Sequence, residues 1–419
     1  LPLHLPTCSL IPLFQFLQHF FNKMSNNNYP LPFLFLLITL SCSFHISTAK
    51  SSTYNVIKFG AKPDGITDST KAFLNAWTKA CSSTYPAAIY VPQGKFLLGT
   101  ITFSGNCANK AISVTIDGTL IASSNYRVAG KGGTWLRFQH VDGVSIRGGV
   151  LDGQGTALWK CKNSNKKKCP TGATTLEFIG SKNIMITGLT SINSQMFHIV
   201  FNGCQYVKTQ DVNIVAAGNS PNTDGIHVQM SSHVTIIHSK IRTGDDCISI
   251  GPGTNSLWIE NIECGPGHGI SIGSLGWELN EAGVQNVTVK RVTFTGTQNG
   301  VRIKSWGRAS NGFVRNIFFQ DATMVNVQNP IVIDQNYCPN NKNCPGQASG
   351  IKISDVTYED IHGTSATEVA VKFDCSSNYP CNGIKLKDVK LTYKNQIAEA
   401  SCNHAVGAAL GLVQPHSCL

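Results

Sequence analysis

Charged side chains are scarce in this 419-residue sequence, 14% in all, and acids are scarcer than bases, 23 against 34. Set beside 42% hydrophobic residues, that scarcity excludes a disordered chain, which needs low hydrophobicity and high charge. Long apolar runs are scarce too. The run "LPFLFLLITL" at 31–40 is about half the length that spans a bilayer, so it is a poor membrane anchor, and no other segment reads as transmembrane. Preceded by Met24 and followed by the small residues Ser47, Thr48 and Ala49, it reads as a secretory signal peptide over 24–49. Residues 1–23 then read as translated sequence upstream of the true start. No linker rich in Pro, Gly or Ser divides the remainder, so 50–419 is expected to be one domain.

Paired C-x-x-C knuckles are also missing, which argues against structural zinc. The 15 cysteines form local pairs instead: Cys161 with Cys169, Cys338 with Cys344, Cys375 with Cys381, and Cys402 with Cys418. Cys81 with Cys107 and Cys247 with Cys264 complete six expected disulfides, the pattern of an oxidising, extracellular compartment. Cys204 is left as a buried free thiol, while Cys8 and Cys42 fall in the segment expected to be lost. The single N-x-S/T sequon, Asn286-Val287-Thr288, makes Asn286 a candidate glycosylation site on an exposed edge.

The formal charge is +11, and the first 49 residues contribute only Lys23, leaving 33 bases against 23 acids. Such a balance favours a polyanionic partner. Nucleic acid fits poorly, because apart from "KKK" at 166–168 the positive residues are scattered and no helix-turn-helix, zinc finger or RNP signature is present. For an exported chain an acidic polysaccharide is the better fit.

From about residue 140 one phrase recurs: a polar or small residue, alternating aliphatics, then Gly, Asn or Asp, as in "SKNIMITGLTSIN", "SSHVTIIHSKIRTG" and "VQNVTVKRVTFTG". The anchoring aliphatics Val207, Val234, Leu257, Val287, Ile317, Ile351 and Ile384 recur at roughly 23–34 residues, the period of a solenoid. A leucine-rich horseshoe shares the period but needs a Leu-x-x-Leu-x-Leu core that is absent. β-branched runs punctuated by glycine fit an all-β, single-domain, right-handed parallel β-helix, with rungs about 4.8 Å apart. Its open ends need covers. "TDSTKAFLNAWTKAC" predicts an N-terminal capping helix with Ala72, Phe73, Ala76, Trp77 and Ala80 on one stripe behind a cap at Thr67 or Asp68. The segment after Tyr393, with Cys402 and Cys418, is expected to close the other end.

Chemistry concentrates in one phase of this coil. Asp224, Asp246 and His268 are 22 residues apart in succession, and each is followed by Gly or Cys and an Ile-rich run. Equal spacing stacks them on adjacent turns. Asp245 adds a second carboxylate beside Asp246, although neighbours on a regular strand face opposite ways, so the backbone must bend there and Gly244 is the candidate for that bend. Arg302 and Lys304 alternate across Ile303 and share a face. Taken singly, Asp-Gly is a turn, Gly-His-Gly a loop and "RIK" a solvated strand. Their common phase is what argues for a site.

"NTDG" (222–225), "GDDC" (244–247), "GHG" (267–269) and "RIK" (302–304), in this order, resemble the four signature motifs of the polygalacturonases, pectin-hydrolysing glycoside hydrolases, and the likeness to the plant members covers roughly 54–419. That resemblance implies a parallel β-helix that cleaves α-1,4-galacturonosyl linkages. It implies Asp245 as general acid, Asp224 and Asp246 as the carboxylates that hold and deprotonate water, His268 beside the acid, and inversion at the anomeric carbon. Arg302 and Lys304 would grip a galacturonate carboxylate, with Asn222 and Tyr337 as further substrate contacts. Crowded carboxylates should raise at least one pKa and keep a proton available. No cofactor or metal is implied; a secreted, cell-wall monomer free of nucleic acid and membrane is. Two rivals stay open: a calcium-dependent pectate or pectin lyase on the same coil, and a cell-wall protein that binds pectin without cutting it. Endo or exo action is not encoded in composition.

Overall fold

The computed structural model describes residues 51–129, 132–164 and 169–419. The expected signal peptide, the segment before it and the lysine run at 166–168 lie outside them. Alternating β-branched runs such as "VTIIHSKI" (234–241) put every second side chain inward, and the chain coils as a parallel β-helix. Each coil gives one short strand to an eleven-stranded parallel sheet, from Ile101–Ser104 to Glu399–Asn403, and one or two strands to a twenty-stranded sheet. From Ser232–Arg242 to Cys381–Tyr393 the strands of the larger sheet turn a corner without ending. A residue in the left-handed region bends each of them: His238, Asn261, Arg291, Asp321, Asp360 and Asp388. Asp and Asn tolerate that conformation, which explains the polar punctuation of the repeating phrase.

Inward side chains stack in columns. Phe103, Phe138, Phe178 and Phe201 are register partners on successive coils, with Phe138 and Phe178 at 4.9 Å between centroids and 12° between planes. The helix Thr70–Ser82 lays Ala72, Phe73, Ala76, Trp77 and Ala80 on this core, and Trp77 sits 5.3 Å from Phe103 and 5.6 Å from Phe138. Its N-cap is Ser69, one or two residues later than expected, while the Asp68 carboxylate accepts from the Thr70 amide at 2.8 Å.

One member of the expected aliphatic column is misplaced. Val207, Val234, Leu257, Val287 and Ile317 pair in series, but the next partner is Val356, not Ile351, and Ile384 follows it. The loop closed by Cys338 and Cys344 lengthens that coil beyond the spacing read from sequence. All six expected disulfides are formed, and Cys204 is buried and free. Cys402–Cys418 ties down the last rung, whose Val406, Leu410 and Leu412 are exposed, so this segment adds a rung and leaves its outer face open to solvent among the described residues. Asn286 is exposed, with its side chain in an asparagine ladder: its Nδ2 donates to Asn255 at 2.9 Å and its Oδ1 accepts from Asn316 at 3.2 Å.

Candidate active site

Ile226, Ile248 and Ile270 are register partners on three successive coils of the eleven-stranded sheet. Asp224, Asp246 and His268 each precede one of them by two residues, so the 22-residue period does place them at equivalent positions. The next partner, Val301, comes 31 residues after Ile270, because a loop follows Leu275. Arg302 and Lys304 then project from Asn299–Trp306 on the outward face. The column His227, Ser249, Ser271, Arg302 runs beside them.

Asp245 and Asp246 lie in the bend between Ser232–Arg242 and Ile248–Ile250, outside any strand, so strand alternation does not separate their side chains. Gly244 is needed for a different reason from the one expected. A Cβ there would stand 2.2 Å from the Ser220 carbonyl oxygen, so only glycine lets this bend lie against the neighbouring coil.

The three carboxylates have different surroundings. Asp246 is 2% exposed at its side chain and is held by Lys304 Nζ at 2.8 Å and an Arg302 nitrogen at 3.0 Å, while Ser271 Oγ donates at 2.8 Å. Charge-assisted bonds of this kind compensate the cost of burying an ion. Asp224 is also buried, and burial, followed by the negative charges of Asp245 and Asp246, pushes its carboxyl well above the ordinary aspartate range against the opposing pull of Ser249 and Lys304. Burial pushes Asp245 up as well, but the hydrogen bond and charge of His268, then Lys304 and the Asp246 amide, outweigh it and bring it below that range. His268 Nδ1 lies 3.1 Å from Asp245 Oδ1. Of the three, Asp245 is the most open, at 19% of its side chain.

These groups surround a cleft of about 290 Å³ that Asn222, Lys304 and Tyr337 also line. Tyr337 packs its ring 5.2 Å from Lys304 Nζ. Lys304 meets the cleft already paired to Asp246, and Arg302, paired to the same carboxylate, lies behind the lining, where the sequence pattern suggested two cations free for substrate. Sequence reasoning missed His227 and Phe197, which stack at 5.2 Å on the cleft wall. The His227 ring bonds Ser249 and Gln229, and burial lowers its pKa. The same 22-residue period, shifted three places from Asp224, would have found it. Asp245, Asp246 and His268 offer donor atoms within 4.8 Å of one another, but Asp246 is matched by two cations, so its charge needs no metal for balance.

The comparisons agree with this geometry. Residues 81–418 match the model of the glycosyl hydrolases family 28. A polygalacturonase of Prunus persica is 67% identical over 384 residues, covering 91% of this chain and 98% of that protein, and an exopolygalacturonase of Platanus acerifolia is 43% identical, covering 83% and 92%. Among solved structures, the endo-xylogalacturonan hydrolase of Aspergillus tubingensis superposes with a TM-score of 0.75 at 22% identity, over 86% of this chain and 99% of that one. The polygalacturonase of Erwinia carotovora gives 0.67 at 26% identity, over 85% and 96%. A right-handed parallel β-helix is the shared fold. With that coil, three of the four motifs lining one cleft and the fourth joined to it through the His268–Asp245 bond, and near-complete coverage by a plant relative, the chain belongs to family 28 of the glycosyl hydrolases, among its plant-type polygalacturonases.

Proposed function

We propose that this pectin-hydrolysing glycosidase cleaves α-1,4-galacturonosyl linkages with Asp245 as the proton donor and with Asp224 and Asp246 holding and deprotonating the water. The observation that carries the division is the contrast among the three carboxylates: Asp246 is paired to two cations, Asp224 is the group most disposed to hold a proton in the open cleft, and Asp245 is the most exposed. A sugar ring seated over Asp245 removes its remaining solvent, and burial is already the largest influence on that carboxyl. Binding therefore drives the proton from Asp224 toward Asp245, where the leaving oxygen needs it. Because the charge of Asp245 is among the influences that raise Asp224, the two titrate together rather than one by one. Arg302 and Lys304 serve twice, neutralising Asp246 and presenting positive charge to a galacturonate carboxylate beside Tyr337. Inversion follows the family pattern.

The six disulfides and the excess of bases support an extracellular enzyme acting on an anionic wall polymer. A time course on polygalacturonate, resolved by chain length, tests the reading. Saturated products that form in the presence of a calcium chelator, with the α-linked substrate first releasing the β-anomer by NMR, are expected. Unsaturated products absorbing in the ultraviolet, or activity lost to the chelator, would make it a lyase. A ladder of oligomers means endo action, and accumulating monomer means exo.

A further inference from the structure

Aromatic rings continue outward from the cleft. Tyr337 meets Trp306 edge-on at 5.2 Å, and Trp306 meets Trp277 edge-on at 5.0 Å. Trp277 is 54% exposed, yet it is held firmly. The Glu281 carboxylate accepts from its amide at 3.1 Å and from the Gly276 amide at 2.5 Å, and Arg308 donates to its carbonyl at 3.1 Å. The Arg308 guanidinium also lies 4.5 Å from the centroid of the Trp277 ring. Beside this wall a second hollow, of about 450 Å³, opens past Gly307, between Trp306 and Arg308 in the chain, and further along the same sheet at Asp374 and Asn403. A large apolar ring left in water and fixed on both sides of its backbone has no packing role that its exposure serves.

We propose that Trp277 and Arg308 form a distal subsite for one further galacturonosyl residue of the polymer, the indole stacking on the pyranose and the guanidinium pairing with its carboxylate. The proposal rests on the hydrolase reading above and deepens it. A pyranose has an apolar C–H face that suits an indole, and the Arg308 guanidinium resting on the ring, with one donor used on the Trp277 carbonyl, keeps its remaining edge donors for a carboxylate. Successive contacts from Asp246 through Lys304, Tyr337 and Trp306 to Trp277 link the subsite to the cleft. Its expected consequence is a preference for long chains over a trimer, which has fewer residues to extend from the catalytic carboxylates toward the rim.

The test compares kcat/KM on polygalacturonate with kcat/KM on trigalacturonate. Trp277→Ala and Arg308→Ala are each expected to lower that ratio about tenfold, with Trp277→Phe keeping part of it and with the Arg308→Ala deficit vanishing on methyl-esterified chains. Trp258→Ala, an exposed tryptophan on the larger sheet, is the control and should leave the ratio alone. Trimer hydrolysis reports that each variant is folded. An unchanged ratio in both variants, with the wild type active, overturns the subsite. Should the wild type cut neither substrate, the hydrolase reading fails instead, and the subsite is then read by tryptophan fluorescence: quenching by polygalacturonate that persists in Trp277→Ala sinks it.

Discussion

Lys304 Nζ stands 2.8 Å from Asp246 Oδ2, while the same ammonium is only a minor influence on Asp224, one coil away. Two aspartates at equivalent positions of adjacent coils are thereby split into one carboxylate paired to two cations and one group that resists ionising.

That split makes Asp224 a measurable liability. A carboxyl whose pKa is higher in the folded than in the unfolded chain costs nothing below its unfolded value, about 3.9, and costs stability increasingly as pH rises through the folded value. Asp224→Asn should therefore leave Tm nearly unchanged near pH 3.5 and raise it above wild type by pH 7, while removing activity. Thermal unfolding across that range checks the sign. A Tm gain that shrinks with rising pH would mean Asp224 is not held protonated.

Asp245 carries the opposite sign because of His268. Replacing Asp245 by Asn should lower kcat by about 10²–10⁴-fold, the usual contribution of a positioned acid, and leave oligomer binding in place. Replacing His268 by Ala removes the hydrogen bond and charge that hold Asp245 down, so its pKa rises. The basic limb of the kcat/KM profile should then move to higher pH as kcat falls. A basic limb that stays put would show that His268 does not act on the acid.

The Asp246 cluster is a buried network, so half of it is worse than none. Removing Arg302 and Lys304 together leaves a carboxylate that is 2% exposed with Ser271 as its remaining partner, which should cost about 3–5 kcal/mol. Adding Asp246→Asn to that double variant should recover a good part of the loss without restoring hydrolysis. Denaturant unfolding of the two variants reads the difference directly. No recovery would mean that the cations stabilise the coil by some route other than Asp246.

The site was legible where the coil has no insertions. Asp224, Asp246 and His268 keep a constant interval because the partners Ile226, Ile248 and Ile270 are joined by coils of equal length, and periodicity sees equal lengths. It fails where loops intervene. Val356 replaces Ile351 in its column because the coil before it carries the Cys338–Cys344 loop, and an apolar residue inside a loop mimics the next rung. The choice of Asp246 by both cations was hidden for another reason: Arg302 and Lys304 are 56 and 58 residues from it, and residue types alone do not say whether a cation faces substrate or a neighbouring acid. Trp277 and its clamp by Glu281 and Arg308 belong to loops, whose shape no repeat encodes.

Cys247 follows Asp246 directly and is bonded to Cys264 on the next coil, 17 residues on, with 5.9 Å between Cα atoms. It anchors the bend that carries both acids. In the chain-entropy account a loop of that length contributes roughly 3 kcal/mol by restricting the unfolded chain, and that part is independent of catalysis. The bend adds a second effect, since Asp245 and Asp246 have no strand of their own to hold them and rely on Gly244 packing and this bond. Cys247→Ala with Cys264→Ala should thus lower Tm by several degrees and, at a temperature where the variant is fully folded, also lower kcat with little change in KM. A variant that loses stability but keeps the wild-type kcat would place the positioning of the acid pair in the hydrogen bonds from His268, Ser271, Arg302 and Lys304 instead.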